Sequence, residues 1–141
     1  MRRTLLALAF LSVLTSCTTM QPSAPMQVVD DDRLFCGLSI PDGGTVSERD
    51  LAQFLDEVVV TRFPDGFSVF HIDGHYNDTR KGPVAESSIV IEIIHVHDAS
   101  KDQLVREIAT EYRRRFRQQA VLRMHASGAM ELIEEKSAST E

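Results

Sequence analysis

The sequence has little cysteine, no excess of positive charge and no long apolar run. Two cysteines in 141 residues exclude a disulfide framework. A net charge of −6 argues against nucleic-acid binding, which needs a positive field. No apolar run reaches the roughly 20 residues of a bilayer-spanning helix. A composition of 43% hydrophobic and 26% charged residues is ordinary for one globular domain.

The N-terminus has the layout of a secretory signal peptide. Arg2 and Arg3 precede residues 5–14, which are apolar apart from one serine. The Leu-Thr-Ser-Cys sequence that ends at Cys17 resembles the bacterial lipobox, in which the cysteine thiol receives a diacylglycerol before a signal peptidase cuts in front of it. We therefore expect residues 1–16 to be a lipoprotein signal peptide and Cys17 to be lipidated.

The lipidated cysteine implies a location in the bacterial cell envelope. Two or three acyl chains, palmitate among them, exceed what stable membrane anchoring needs. Thr18 follows the cysteine, which resembles lipoproteins that are forwarded to the outer membrane. We expect a lipid-anchored protein, on the outer membrane and facing the periplasm.

Composition divides the remaining chain into tether, domain and tail. Residues 17–30 contain two prolines and no periodic pattern, so they are predicted to be the lipidated cysteine and a flexible tether. Residues 31–133 are predicted to form the folded domain. The polar residues 134–141 are predicted to be a disordered tail.

Periodicity predicts the element order β-α-β-β-α-β. Helices are expected after N-caps at Ser47 and Ser100, and the polar connection 74–86 is expected to be a mobile loop. The expected strands are 33–40, 67–73, 87–96 and 121–125, with a short fifth strand at 129–133. The simplest right-handed arrangement is a ferredoxin-like α+β sandwich with strand order 4-1-3-2 and both helices on one face.

Several separated segments resemble a known family. They are 34–41 (LFCGLSIP), 54–59 (FLDEVV), 62–66 (RFPDG) and 121–123 (VLR). In this order they resemble a bacterial family catalogued as a domain of unknown function (DUF), whose members are often lipoproteins. The resemblance covers about residues 33–133. It implies no activity, and no catalytic residue is carried over from it.

Neither a cofactor nor a metal is expected. Cys36 alternates with apolar residues on the predicted core face, where a thiol acts as a small hydrophobe; a reactive thiol is the alternative. His71 is expected about 16 Å from His95 along the strands, so the two cannot share an ion. A weak surface metal site from His95, His97, His125 and the acidic run 30–32 is the alternative.

The sheet face that carries no helix is predicted to be half apolar, which suggests a partner, a second copy or a ligand cavity. Glu92 and Arg123 are predicted to flank Gly37 and to form a charged bridge there, with His71 and Ser39 beside it. These four residues are the predicted binding residues, and an ordinary ion pair is the alternative. No catalytic residue is predicted.

The leading functional interpretation is a non-enzymatic envelope protein that self-associates, as a homodimer, or binds a partner through this face. The alternative is a small-molecule-binding or enzymatic domain with a polar site on the same face.

Overall fold

A computed structural model describes residues 26–41, 43–79 and 82–133. Its strands are β1 (Gln27–Gly37), β2 (Ser68–Asp78), β3 (Gly82–Val96) and β4 (Leu122–Met130); its helices are α1 (Glu48–Phe54), which continues as a π-helix (Leu55–Val60), and α2 (Ala99–Arg115). The strands form one antiparallel sheet in the order β2-β3-β1-β4. The predicted ferredoxin-like α+β fold and its strand order are confirmed.

The core lies between the helices and one face of the sheet. On β1, Leu34 and Cys36 are fully buried and alternate with partly exposed residues. Ile91 pairs with Leu34 and points to the same side. From the helical layer, Phe54 packs edge-on against Tyr112 with ring centroids 5.2 Å apart. The helices therefore close this face of the sheet to solvent. Each such buried side chain contributes about 1.5–3 kcal/mol to folding.

The helix starts are defined by side-chain caps. Ser47 accepts a hydrogen bond from the Asp50 amide at 3.1 Å, as predicted. The second cap differs from the prediction, because Asp98 caps α2 and accepts from the Ser100 amide at 2.7 Å. An aspartate is as good an N-cap as a serine, so helix α2 begins earlier. None of the described helices is long and apolar enough to cross a membrane.

Strand β1 begins earlier than predicted. It starts at Gln27, so residues 27–30, which the sequence assigns to the tether, belong to the sheet. The acidic run suggested a solvated segment, but Asp30 and Asp32 are buried because other strands supply hydrogen-bond donors to them. The predicted signal peptide, Cys17 and the tail 134–141 lie outside the described residues.

The structure has strands where the sequence predicted a loop and where it predicted a break between two strands. Residues 74–78 and 82–86 pair with each other as the outer part of a β2–β3 hairpin, with Gly74 opposite Glu86. The pairing between β1 and β3 ends at Ser88, whereas β2 and β3 go on pairing from there to the tip of the hairpin. We call this outer part, residues 73–78 and 82–87, the hairpin arm. The predicted fourth strand and the start of the predicted fifth are one continuous strand, because β1 offers pairing partners as far as Met130.

Candidate functional site

The sheet has an open face that no helix covers. Residues opposite each other in an antiparallel pair lie on the same face, so Phe35, Val90 and Leu122 belong to the open face through the pairs that Phe35 makes. Phe70 joins them as the partner of Val90 on β2. The open face thus carries large apolar side chains, several of them exposed to solvent.

A basin of about 980 Å³ lies at the end of the open face where the hairpin arm leaves the body of the domain. Phe35 on β1, Ile72 on β2 and Leu122 on β4 contribute apolar surface from three strands. Tyr76 and Glu86 line it from the hairpin arm. The opposite wall comes from the segments after β1 and α2, including Ser39, Ile40, Pro41, Gln118, Gln119 and Ala120.

Two acceptor oxygens converge over Gly37. A Cβ atom on Gly37 would lie 2.6 Å from Glu86 Oε1 and 3.2 Å from Gln118 Oε1. Because glycine has no side chain, both groups approach the backbone closely, and a side chain at this position would displace them. Gln118 Nε2 donates to the Ser39 carbonyl at 2.7 Å and to the Phe116 carbonyl at 3.3 Å. These two bonds orient the amide, so that its carbonyl oxygen faces Gly37.

Buried side chains hold the backbone beneath the basin. The Tyr112 hydroxyl donates to the Gly37 carbonyl at 2.9 Å. Burial raises the pKa of Tyr112, and the nearby Cys36 and Glu86 raise it further, so the hydroxyl keeps its proton. Burial also raises the pKa of the Cys36 thiol to about 12. The interpretation of Cys36 as a core residue is confirmed, because the side chain is fully buried and remains a neutral thiol.

The predicted bridge between Glu92 and Arg123 is wrong. Glu92 lies on the open face, where it accepts from Arg33 at 2.8 Å, and Arg33 also binds Asp31 at 2.8 Å. Arg123 pairs with Leu34 and therefore lies on the opposite face. The pairing register, which the sequence alone did not reveal, separates the two residues.

The other two predicted binding residues also separate. His71 pairs with Ile89, so it lies on the helix side of edge strand β2 and away from the basin, whereas Ser39 lines the basin. Sequence reasoning missed Glu86 and Gln118. The available signal was Gly37, whose missing side chain leaves room for a neighbouring group. Its pairing partner on β3 is Ser88. Glu86 is the next residue of β3 on the open face and belongs to the hairpin arm.

A second polar cluster ties the strands together at the other end of the sheet. Buried Asp32 lies 2.7 Å from Arg123 Nε, 3.0 Å from His95 Nε2 and 3.0 Å from His125 Nδ1. Arg123 also reaches Asp102 at 2.6 Å, which connects β4 to α2. Burial by itself raises the pKa of Asp32, but the hydrogen bonds from Arg123 and the two histidines outweigh it and lower the pKa.

Asp30, two residues before Asp32 on the same face of β1, extends this cluster along the strand. Its carboxylate lies 2.8 Å from His97 Nδ1 and accepts from the Ser127 hydroxyl at 2.9 Å. Burial opposes ionisation, yet the bonds from Ser127 and His97 lower the pKa of Asp30. Within the described part of the chain, no three histidine, cysteine or acidic side chains are arranged to hold a metal ion; the histidines here face carboxylates.

A protein family and two solved structures match most of the length of this chain. Residues 31–131 match the model of a family described as "Protein of unknown function (DUF3574)". No curated protein matches the sequence. Two solved structures share the fold: a phage SAM lyase in complex with S-methyl-5′-thioadenosine (20% identity, TM-score 0.55, 80% of this chain and 95% of that one) and a phage SAM lyase in the apo state (20%, 0.56, 84% and 98%).

Proposed function

The chain belongs to the DUF3574 family of proteins of unknown function, and we propose that its domain binds a small organic ligand in the basin. The observation that carries this proposal is the pair of acceptor oxygens, from Glu86 and Gln118, over the bare backbone of Gly37. Ligand sites are concave and mostly apolar, with a few placed polar groups. The basin is concave and combines apolar side chains with a larger share of polar groups, and its volume of about 980 Å³ is sufficient for a small molecule.

The polar groups of the basin select the chemistry of the ligand. The Glu86 carboxylate lines the basin and supplies acceptor oxygens. The Gln118 oxygen is oriented by its own amide bonds. Two acceptors side by side suit a pair of hydroxyl groups or a cationic centre. Phe35, Ile72 and Tyr76 offer surface for a flat apolar group.

The structural neighbours supply a suitable probe. One phage SAM lyase was solved with S-methyl-5′-thioadenosine, a nucleoside that combines a ribose diol with a flat purine. SAM adds a sulfonium cation to the same framework. Both molecules have the donor groups and the flat ring that the basin suits, which supports testing ligands of this class on this chain.

Calorimetric titration with S-methyl-5′-thioadenosine and with SAM tests the proposal. We expect saturable binding of at least one of them, and we expect Glu86→Gln to weaken it by about tenfold or more, because a hydrogen bond to a charged group contributes about 1.5–3 kcal/mol. Glu92→Gln is the matched control, since Glu92 lies on the same strand and face but outside the basin. Equal affinities of the two variants, or no binding of either ligand by the wild type, would contradict the proposal.

A reaction on that ligand is a second candidate function, favoured by the lyase activity in the neighbours' names. Glu86 lines the basin, and we propose its carboxylate as the base of a reaction that needs one. Liquid chromatography of SAM incubated with the protein would then show S-methyl-5′-thioadenosine appearing with wild type and not with Glu86→Gln. Equal product from both proteins, or none from either, rejects the enzymatic candidate.

The proposal places this binding domain at the cell envelope, attached through a lipidated Cys17. The charged start, the apolar run and the lipobox-like sequence before Cys17 support it. Mass spectrometry of the mature N-terminus should find acyl chains on Cys17, and Cys17→Ser should release the protein from the membrane fraction. An unmodified Cys17 in membrane-bound protein would reject the lipid anchor without affecting the ligand proposal.

A further inference from the structure

We propose that the ligand group over Gly37 is positively charged, so that the basin takes an onium compound, with a sulfonium or an ammonium centre. This inference rests on the proposed ligand binding in the basin. It selects between the two chemistries that the acceptor oxygens suit, a pair of hydroxyl groups or a cation. The surroundings of Gly37, the charge of the basin lining and its aromatic rings all favour the cation.

The space over Gly37 is bordered by hydrogen-bond acceptors. The three heavy atoms nearest to a Cβ built on Gly37 are Glu86 Oε1 at 2.6 Å, Gln118 Oε1 at 3.2 Å and Glu86 Cδ at 3.3 Å. Since both oxygens lie close to one point, a single ligand group can contact both of them. Carboxylate and amide oxygens accept hydrogen bonds, so that ligand group has to donate or to carry positive charge.

Two donors beside this space are directed elsewhere. The Tyr112 hydroxyl donates to the Gly37 carbonyl at 2.9 Å. Gln118 Nε2 donates to the carbonyls of Ser39 and Phe116 at 2.7 and 3.3 Å. A ligand hydroxyl both donates and accepts, and neither of these donors is directed at its oxygen. An ammonium has donors only, so it leaves no acceptor of its own unsatisfied, and leaving a buried acceptor unsatisfied costs binding energy.

The charge of the basin also favours a cation. Glu86 contributes a carboxylate, and among the described residues that line the basin none is a lysine or an arginine. The field of this carboxylate reaches its surroundings: the pKa of Tyr112 is raised by burial first, and then by Cys36 and Glu86. Hydrogen bonds between two charged groups are shorter and stronger than those between neutral groups. A cation therefore gains more from Glu86 than a neutral hydroxyl does.

Aromatic rings add a second attraction for positive charge. Phe35 and Tyr76 both line the basin, and Tyr76 is 51% exposed, so its ring is accessible to a ligand. The face of such a ring attracts a cation within about 6 Å of its centre. SAM, whose sulfur is positively charged, therefore suits the basin better than S-methyl-5′-thioadenosine, whose sulfur is neutral.

Calorimetric titration of the full chain with SAM and with S-adenosylhomocysteine tests this inference, because the two molecules differ by one methyl group and by the charge on sulfur. Sinefungin, which has an ammonium group in place of the sulfonium, repeats the comparison without the S-methyl group and without a sulfonium that a reaction could consume. We expect both cations to bind at least about tenfold more tightly than S-adenosylhomocysteine.

A charge-neutral variant assigns this preference to one side chain. Glu86→Gln keeps the size of the side chain and removes its charge, so we expect the preference for the cations to fall to about twofold or less. Glu92→Gln is the matched control: it changes the net charge by the same amount on the same face, outside the basin, and should keep the preference of the wild type. Circular dichroism checks that both variants are folded.

The wild-type comparison needs no variant and decides the inference by itself. Equal affinities for the cations and for S-adenosylhomocysteine would overturn it and leave the proposed ligand binding intact. A preference that survives in Glu86→Gln would overturn the role of this carboxylate in charge recognition. Failure of the wild type to bind SAM, sinefungin, S-adenosylhomocysteine or S-methyl-5′-thioadenosine would reject the proposed function and the inference together.

Discussion

Replacing Asp32 with asparagine should lower the free energy of unfolding by about 3 kcal/mol, because removing one member of a buried ion pair leaves its partner uncompensated. Asp32 is fully buried, and the Arg123 side chain is 15% exposed. An amide accepts through one oxygen only, so it cannot satisfy Arg123, His95 and His125 together. Asp102 still binds Arg123, which keeps the expected loss at the lower end of the range for buried pairs.

Urea denaturation followed by circular dichroism measures this loss. With a slope of about 1–3 kcal/mol per molar urea, the midpoint should fall by about 1–3 M. The chain from residue 18 onward contains every described element and suits the assay. Asp56→Asn is the control, since Asp56 is exposed and its replacement should change stability by no more than about 0.5 kcal/mol.

The pH dependence gives a second readout. The pKa of Asp32 is lowered in the folded protein, so its stabilising effect is complete well above the unfolded value near 3.8 and is lost as the pH falls through the lower folded value. The difference between wild type and Asp32→Asn should therefore be present at neutral pH and shrink below about pH 4. A difference under about 0.5 kcal/mol at neutral pH, or one that persists unchanged in acid, would refute the role assigned to this carboxylate.

Other substitutions test the support of the basin and the helix start. Tyr112→Phe removes the donor to the Gly37 carbonyl and should cost about 1–3 kcal/mol in a thermal melt; an unchanged melt contradicts the bond. Cys36, whose pKa is raised to about 12, should react with a thiol reagent only after denaturation, and rapid labelling of native Cys17→Ser protein would disprove its burial. Ser47→Ala removes the α1 cap and should cost about 1 kcal/mol; a loss equal to that of Asp32→Asn would mean that the cap has a larger role.

The candidate site was only partly predictable. The sequence singled out Gly37 because it puts no side chain between its neighbours, but the groups above it are the oxygens of Glu86 and Gln118 and not the predicted Glu92 and Arg123. Glu92 and Arg123 were wrongly predicted to lie beside Gly37, because the sequence of a single strand does not determine its register with its neighbours; they pair with Arg33 and Leu34 instead. A register shift changes which residues are neighbours and, if it is odd, which face they occupy.

The sequence by itself determined the order of the main strands and helices and the topology of the sheet, but not where each strand begins and ends. Alternation on β1 and β3, the Ser47 cap and the short connections leave few right-handed arrangements. Tertiary structure decided the rest, because it supplies partners from distant parts of the chain. Asp30 and Asp32 were assigned to solvated or boundary positions on their charge, and they are buried because β3 and β4 bring His95, Arg123 and Ser127 to them. The Gly- and Asn-containing stretch 74–86 is typical of a loop, but residues 74–78 and 82–86 are strands because their backbone groups bond across the hairpin.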